Sequence, residues 1–272
     1  MPELPLELER QIFELAFKPN SRDIALKVTL CLVARRVQVW IDRIFYELVT
    51  ISDEDRGKRF LSLIQSNAKP PDFFAVVKTL CLTYAVDDAT ACGILAACNR
   101  VESLACWVET DAPQLPLLIS QLPLHRLSIR MDHFLRIPFG APPSSYLSDL
   151  THIELRRWDP SHLSQLVHLP RLTHVCLPSR DYSQIRVGYT ETVCSSCPRL
   201  QVLIILCDST IVDWVEATLP LSAKADHRVV VQAKLIREEL REDWEGSYFG
   251  RSDKWCRAEA TVAQRKSSVG QK

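Results

Sequence analysis

Glycine is scarce in this chain, with seven among 272 residues. No two of them fall in a G-x-G-x-x-G or G-x-x-x-x-G-K-[ST] setting, which excludes the usual backbone cradles for nucleotide phosphates. An excess of charge of one sign is missing too. Lys and Arg number 33, Asp and Glu number 33, and the formal net charge is zero. No overall field steers the protein toward nucleic acid or an anionic membrane, and neither partner is expected. No apolar run approaches the roughly 18 residues that indicate a membrane span. The longest candidate, Val202 to Cys207, is strand-sized. The opening Met-Pro-Glu-Leu-Pro-Leu-Glu is acidic and has no long apolar stretch, unlike a secretory leader. A cytoplasmic or nuclear protein is expected.

Cysteine, by contrast, is plentiful at ten, and hydrophobic residues make up 47% of the chain. In an intracellular chain most cysteines are small buried hydrophobes. Cys31, Cys81, Cys92, Cys98 and Cys207 fit that reading, because each lies in an apolar run.

Residues 1–50 read as a head of three short amphipathic helices. Leu4-Pro5 starts the first, since proline is preorganised for the first helical position. Leu8, Ile12, Leu15 and Ala16 recur at helical spacing with Phe13 beside them. Ser21 or Asp23 can cap the second helix, which carries Ile24, Leu26, Val28, Leu30 and Leu32. The third carries Val37, Trp40, Ile41, Ile44, Phe45 and Leu48. So small a unit buries little by itself, and its large apolar residues exceed what its own core needs. They pack on the next domain or form a partner surface. A charged break from Ser52 to Arg59 follows. Within residues 51–76, Phe60 to Gln65 is expected to be the helix that joins head to body.

From residue 77 to about 232 an L-x-x-L-x-L pattern recurs, any aliphatic being allowed. Its copies are Val77-Leu80-Leu82, Val101-Leu104-Cys106, Leu124-Leu127-Ile129, Leu150-Ile153-Leu155, Leu172-Val175-Leu177 and Leu200-Leu203-Ile205, with a weaker seventh at Val229-Val231. First members at 77, 101, 124, 150, 172 and 200 are separated by 24, 23, 26, 22 and 28 residues. Leucine-rich repeats run at roughly 20–29 residues. The expected fold is α/β: short parallel strands, a return segment per strand, and a solenoid with one continuous core. Asp87–Ala97, Asp159–His168 and Asp208–Leu219 read as helical returns, each opening on a capping residue. Ala112–Gln121 and Asp181–Ser196 carry Pro, Gly or Ser and read as turns or single helical turns, and Pro138–Ser145 as a loop.

Side chains between the inward aliphatics point to the concave face. In its middle they are Arg126, Arg130, His152, Arg156 and His174, with Trp107 at one side. Clustered guanidinium groups suit carboxylates or phosphates, so these six are the candidate substrate-binding residues, for an acidic or phosphorylated peptide. The plainer alternative is a polar sheet face on which Glu154 pairs with an arginine. Val202 to Leu206 is apolar on both faces, as a strand covered on both sides would be. The C-terminal segment, residues 233–263, is expected to cover it. There Ile236, Leu240 and Trp244 share one helix face and Trp255 follows. Residues 264–272 read as disordered.

No catalytic constellation emerges. Cys194 and Cys197 have metal-ligand spacing, but no second pair follows, so neither metal nor cofactor is expected. His125, His133, His162 and His168 read as surface or turn residues.

Three pieces of the head carry a resemblance. They are Leu4-Pro5-x-x-Leu8-x-x-x-Ile12-Phe13, then Leu32-Val33-x-Arg35-Arg36, then Phe45-Tyr46. Together they resemble the F-box, most of all the diverged F-box of the large mushroom family of F-box proteins. Ala34 and Val37 stand where that family often has Cys and Trp. The resemblance implies that Leu4, Pro5, Leu8, Ile12, Phe13, Leu32, Val33, Arg36 and Trp40 bind a Skp-family linker, and through it a cullin. It implies a substrate-recruiting adapter of an SCF-type ubiquitin ligase that does no chemistry itself. The alternative is a stand-alone leucine-rich-repeat scaffold whose N-terminal helices only cap the solenoid.

Overall fold

The computed structural model describes residues 4–66, 68–70, 72–110, 112–139, 144–178 and 189–269. The first helices are α1 (Leu6–Phe17), α2 (Ile24–Cys31) and α3 (Arg35–Glu47). Asp23 caps α2 by accepting from the Leu26 N–H at 2.9 Å. Pro5 stands just outside α1, one position before its first helical residue. The chain then enters a sheet earlier than its sequence pattern suggested. Leu48–Ile51 is strand β1, so Leu48 belongs to the sheet and not to α3.

The remaining strands are β2 (Thr79–Leu82), β3 (Ser103–Cys106), β4 (Arg126–Arg130), β5 (His152–Arg156), β6 (His174–Pro178), β7 (Val202–Cys207) and β8 (Val229–Ala233). They form one eight-stranded sheet in chain order, with every pair parallel. The register stacks like on like. Val49, Leu80, Leu104, Leu127, Ile153, Val175, Leu203 and Val229 form one column of paired residues. This column and its neighbour through Leu82, Cys106, Ile129 and Leu155 sit in the main core. The inward set read from the repeats is therefore the observed one. The column between them points to the concave side: Thr50, Cys81, Ala105, Ser128, Glu154, Cys176, Ile204 and Val230.

Return segments close the convex side. They include α4 (Glu54–Gln65), α5 (Asp88–Ala97), α6 (Gln114–Ser120), α7 (Met131–Phe134), α8 (Tyr189–Ser196), α9 (Val212–Thr218) and α10 (Leu221–Ala225), with 3-10 turns such as Pro160–His168. The caps explain where they start. Asp87 accepts from the Thr90 N–H at 2.8 Å and Asp159 from the Ser161 N–H at 2.8 Å. Three expectations are corrected, one of them at Tyr189–Ser196, which is an eight-residue helix and not a single turn. The helix joining head to body starts at Glu54, because Asp53 caps it through the Arg56 N–H at 2.9 Å. The 114–120 return is a helix, because Leu115 and Ile119 gain full burial on one face. The loop around Pro138–Ser145 and the first part of Asp181–Ser196 lie partly outside the described residues. Where α4 crosses α5 the contact is close, and a Cβ on Gly93 would meet Leu61 Cδ1 at 2.8 Å.

The last helices, α11 (Arg237–Gly246) and α12 (Lys254–Val269), cross to the concave side. Val202, Ile204, Leu206 and Val230 are buried with Trp255, Ala258 and Val262. Cys81, Ala105 and Trp107 are buried with Leu240 and Trp244. The expected cover for the doubly apolar strand is present. Ile236 falls outside it, at the N-cap of α11 and exposed. The tail read as disordered from residue 264 is corrected as far as Val269, which ends α12. No helix among the described residues is long and apolar enough to cross a membrane.

Trp255 fills the space over the apolar end of the concave face and is 4% exposed. Trp255→Ala is expected to lower stability by about 3–5 kcal/mol, the usual cost of removing a large aromatic from a packed interior. Urea unfolding followed by circular dichroism measures it.

Candidate functional site

Two surfaces bear on function: the concave face and the head. The six residues read as a substrate site line the concave face, but the chain's own C-terminal segment covers most of it. Trp107 and His174 are buried, at 1% and 3% exposed, and Arg130 is at 8%. The expectation of an open face at these positions is corrected. A sheet face carrying Val202, Ile204 and Leu206 beside charged residues could not stay in water without cost, and the segment that shields the apolar end also overlies the charged middle.

Glu154 is the hub of that middle. It lies on β5 and is 1% exposed. Its Oε2 accepts from Lys254 Nζ at 2.8 Å and from the Ser128 hydroxyl at 2.9 Å. Its Oε1 accepts from Arg156 at 2.9 Å. Ser128 in turn accepts from the Trp107 indole N–H at 2.8 Å. Burial alone would raise the Glu154 carboxyl, but Lys254 and Arg156 outweigh it and hold it down at about 2. Burial likewise pulls at the Lys254 ammonium, and Glu154 outweighs it, so that group is raised. Lys254 therefore brings the start of α12 to the centre of the sheet as a paired charge.

The other arginines are also occupied by carboxylates of this chain. Arg126 donates to Asp253 at 2.9 Å and lies 5.1 Å from the Trp244 ring centroid. Arg130 pairs with Asp132 and donates to the Glu109 carbonyl. Arg156 sits over the Tyr84 and Trp107 rings at 5.5 and 5.2 Å. Arginine–carboxylate pairing is thus present within the chain itself. The alternative read from sequence, a face on which Glu154 pairs an arginine, describes the observed contact with Arg156.

His152 and His174 stack with centroids 4.1 Å apart, and both meet the Trp255 ring edge-on. Burial, together with each other's presence and Arg126, holds His152 down at about 3. Burial also lowers His174, against the pull of Glu259, whose Oε1 is 3.0 Å from His174 Nε2. His152, His174 and Glu259 form a cluster able to hold a metal ion. Sequence reasoning found the two histidines as i, i+22 neighbours in the repeat. It missed Glu259, which reaches them only through the fold of α12. It also misplaced His133, which is 2% exposed beneath β4 and not on the surface.

One part of this face stays open. Arg130, Arg156, Arg157, Glu109, Tyr84 and Lys234 border a cavity of about 150 Å³ at the C-terminal ends of the strands. Arg157 adopts φ 54°, in the left-handed region that favours glycine, and donates to Glu109 at 2.9 Å. All ten thiols are held above their ordinary values, with Cys81 and Cys106 pushed up to about 12 by burial. The thiols in the sheet are therefore protonated and unreactive at neutral pH.

The head presents the opposite case. Phe17, Val37, Ile41 and Ile44 fill its small core, with Phe13 and Trp40 half-buried against them. Leu4, Pro5, Leu8, Ile12, Leu32, Val33 and Arg36 are exposed. The stripe Leu8, Ile12, Leu15 on α1 faces water, because Phe13 and Phe17 take the inward side. Arg36 holds Glu9 of α1 by two hydrogen bonds of 2.9 Å. The head is tied to the sheet through Tyr46, Phe60, Phe73 and Phe74, whose rings contact one another, and through Asp42, which accepts from Lys69 at 2.5 Å. It also meets the C-terminal segment, where Tyr248 donates to Glu47 at 2.6 Å and Thr50 to Glu245 at 2.7 Å.

Comparison with protein-family models, with curated proteins and with solved structures found no match.

The Glu154–Lys254 pair predicts both a cost and a pH dependence. Lys254→Met is expected to destabilise by about 3–5 kcal/mol, since it leaves Glu154 buried beside too little positive charge. Glu154 has a folded value of about 2 against an ordinary 4.5. The stability it confers is therefore fully present above pH 4.5 and is lost as pH falls toward 2. Urea midpoints measured across that range should fall steeply in the wild type and less steeply in Glu154→Gln.

Proposed function

We propose that this chain is a substrate-recruiting F-box adapter. Its helical head docks a Skp-family linker of a cullin-based ubiquitin ligase, and its leucine-rich-repeat-like array presents a protein substrate. The observation that carries the reading is the exposed apolar set on the head. Leu8 is 48% exposed, Ile12 55%, Leu32 81% and Val33 59%. Scattered exposed hydrophobics are ordinary on any surface, but here they concentrate. Outside residues 4–39, the large exposed hydrophobics among the described residues are Leu117, Val167, Leu221 and Ile236. The core of the head is already filled without them, so their burial awaits a partner. The same residues carry the F-box resemblance of the sequence.

Substrate contact then falls to surfaces that α11 and α12 leave open, such as the cavity beside Arg130, Arg156 and Arg157. The adapter reading assigns no catalytic step to any residue.

A second reading has its own support. The head is fastened to the array by the Tyr46–Phe60–Phe73–Phe74 cluster, as a terminal cap of a solenoid would be. In that case the chain is a stand-alone interaction scaffold.

Co-expression with a fungal Skp-family linker separates the two. The adapter reading expects a one-to-one complex on size exclusion that is lost in Leu8→Asp plus Ile12→Asp. Both side chains are exposed, so the double variant should keep the wild-type fold and thermal midpoint. A chain that stays monomeric beside the linker, or a complex the double variant leaves intact, would overturn the adapter reading.

A further inference from the structure

Two imidazoles and a carboxylate meet where α12 lies on β5 and β6. One ligand atom from each of His152, His174 and Glu259 lies within 4.8 Å of the others. Their hydrogen bonds decide where the protons sit. The Thr151 hydroxyl is 2.8 Å from His152 Nδ1 and donates to the His125 carbonyl at 3.0 Å. The Thr173 hydroxyl repeats this one strand on, 2.8 Å from His174 Nδ1 and donating to the Thr151 carbonyl at 3.1 Å. A carbonyl only accepts, and a hydroxyl has one proton to give. With the hydroxyl proton on the carbonyl, each threonine accepts from an Nδ1–H, and in the neutral rings Nε2 carries the bare lone pair. A backing hydrogen bond of this kind on one ring nitrogen fixes the tautomer of metal-ligating histidines.

His174 Nε2 is buried, and the Glu259 Oε1 lies 3.0 Å from it. A buried imidazole nitrogen facing a carboxylate oxygen presents two donor atoms that one cation can join. Of the charged groups nearby, Arg126 pairs with Asp253 at 2.9 Å, and the Glu259 carboxylate faces the imidazoles.

We propose that His152, His174 and Glu259 bind a divalent transition-metal cation of zinc's class, which clamps α12 to the sheet. Two imidazole nitrogens and one carboxylate oxygen are a zinc donor set, with water in the fourth position. Donors around one tetrahedral ion, with bonds of about 2.0–2.1 Å, stand roughly 3.3 Å apart. The set must draw together on binding. Glu259, with a side chain 53% exposed, has room to move, and the rings must tilt out of their stack. The site stands apart from the head, so it is independent of the adapter reading.

The test uses the full chain, stripped with a chelator and titrated with zinc by calorimetry and with cobalt(II) by absorption. The expected result is one equivalent of metal and cobalt bands of nitrogen and oxygen ligation without a thiolate charge-transfer band. Glu259→Gln and His152→Ala, checked for native circular dichroism, should each bind at least about tenfold more weakly. Absence of saturable one-to-one binding, a thiolate band from the cysteines, or unchanged affinity in both variants would overturn the site.

Discussion

Parallel pairing in a constant register is the constraint on which this molecule depends. Each strand is joined to the next residue for residue, so a side chain's place in its repeat decides which column it enters. Columns that begin with aliphatics continue with aliphatics, from Val49 to Val229, and bury a single core on the convex side. The same rule makes the opposite face a set of columns as well. One of them runs from serine and glutamate in the middle to isoleucine and valine at the far end. Such a face is neither wholly polar nor wholly apolar, and it needs a cover that is mixed in the same way.

The C-terminal segment has that mixture. Trp255, Ala258 and Val262 meet the apolar strands, while Asp253, Lys254 and Glu259 meet Arg126, Glu154 and the paired histidines. Burying a charge is tolerable only with a partner, and pairing across two elements ties their positions together. This is why Lys254, a residue type seldom found inside, stands at the start of α12 with a raised ammonium value. The segment ends up as part of the array, and the two ends of the chain meet where Glu245 contacts Thr50 and Arg22.

The head follows a different economy of burial. Its three helices are too short to enclose all their large side chains, and four residues suffice for its core. What is left over on α1, α2 and the 32–33 turn faces water. A docking function and a capping function both begin from this fact, and they differ in whether that leftover surface is covered by another chain.

The sequence by itself determined strands β2 to β8, while β1 was hidden in what read as the end of the third helix. Period-two alternation within each strand and a recurrence of 22 to 28 residues specify which side chains point inward, because those patterns follow from backbone geometry alone. The capping aspartates at 23, 87 and 159 were legible for the same reason, as their bonds close within three residues. It also showed that Val202 to Leu206 needed a cover. Only the tertiary structure decided what that cover does to its neighbours. Pairings such as Arg126 with Asp253 and His174 with Glu259 span 127 and 85 positions, and their partners are set by where α12 docks and not by any local rule. The stripe on α1 was visible too, but which side of that helix faces the core depended on whether phenylalanine or leucine filled the small space beneath it. Local periodicity reports that a helix has an apolar side; packing volume chooses which apolar side is buried.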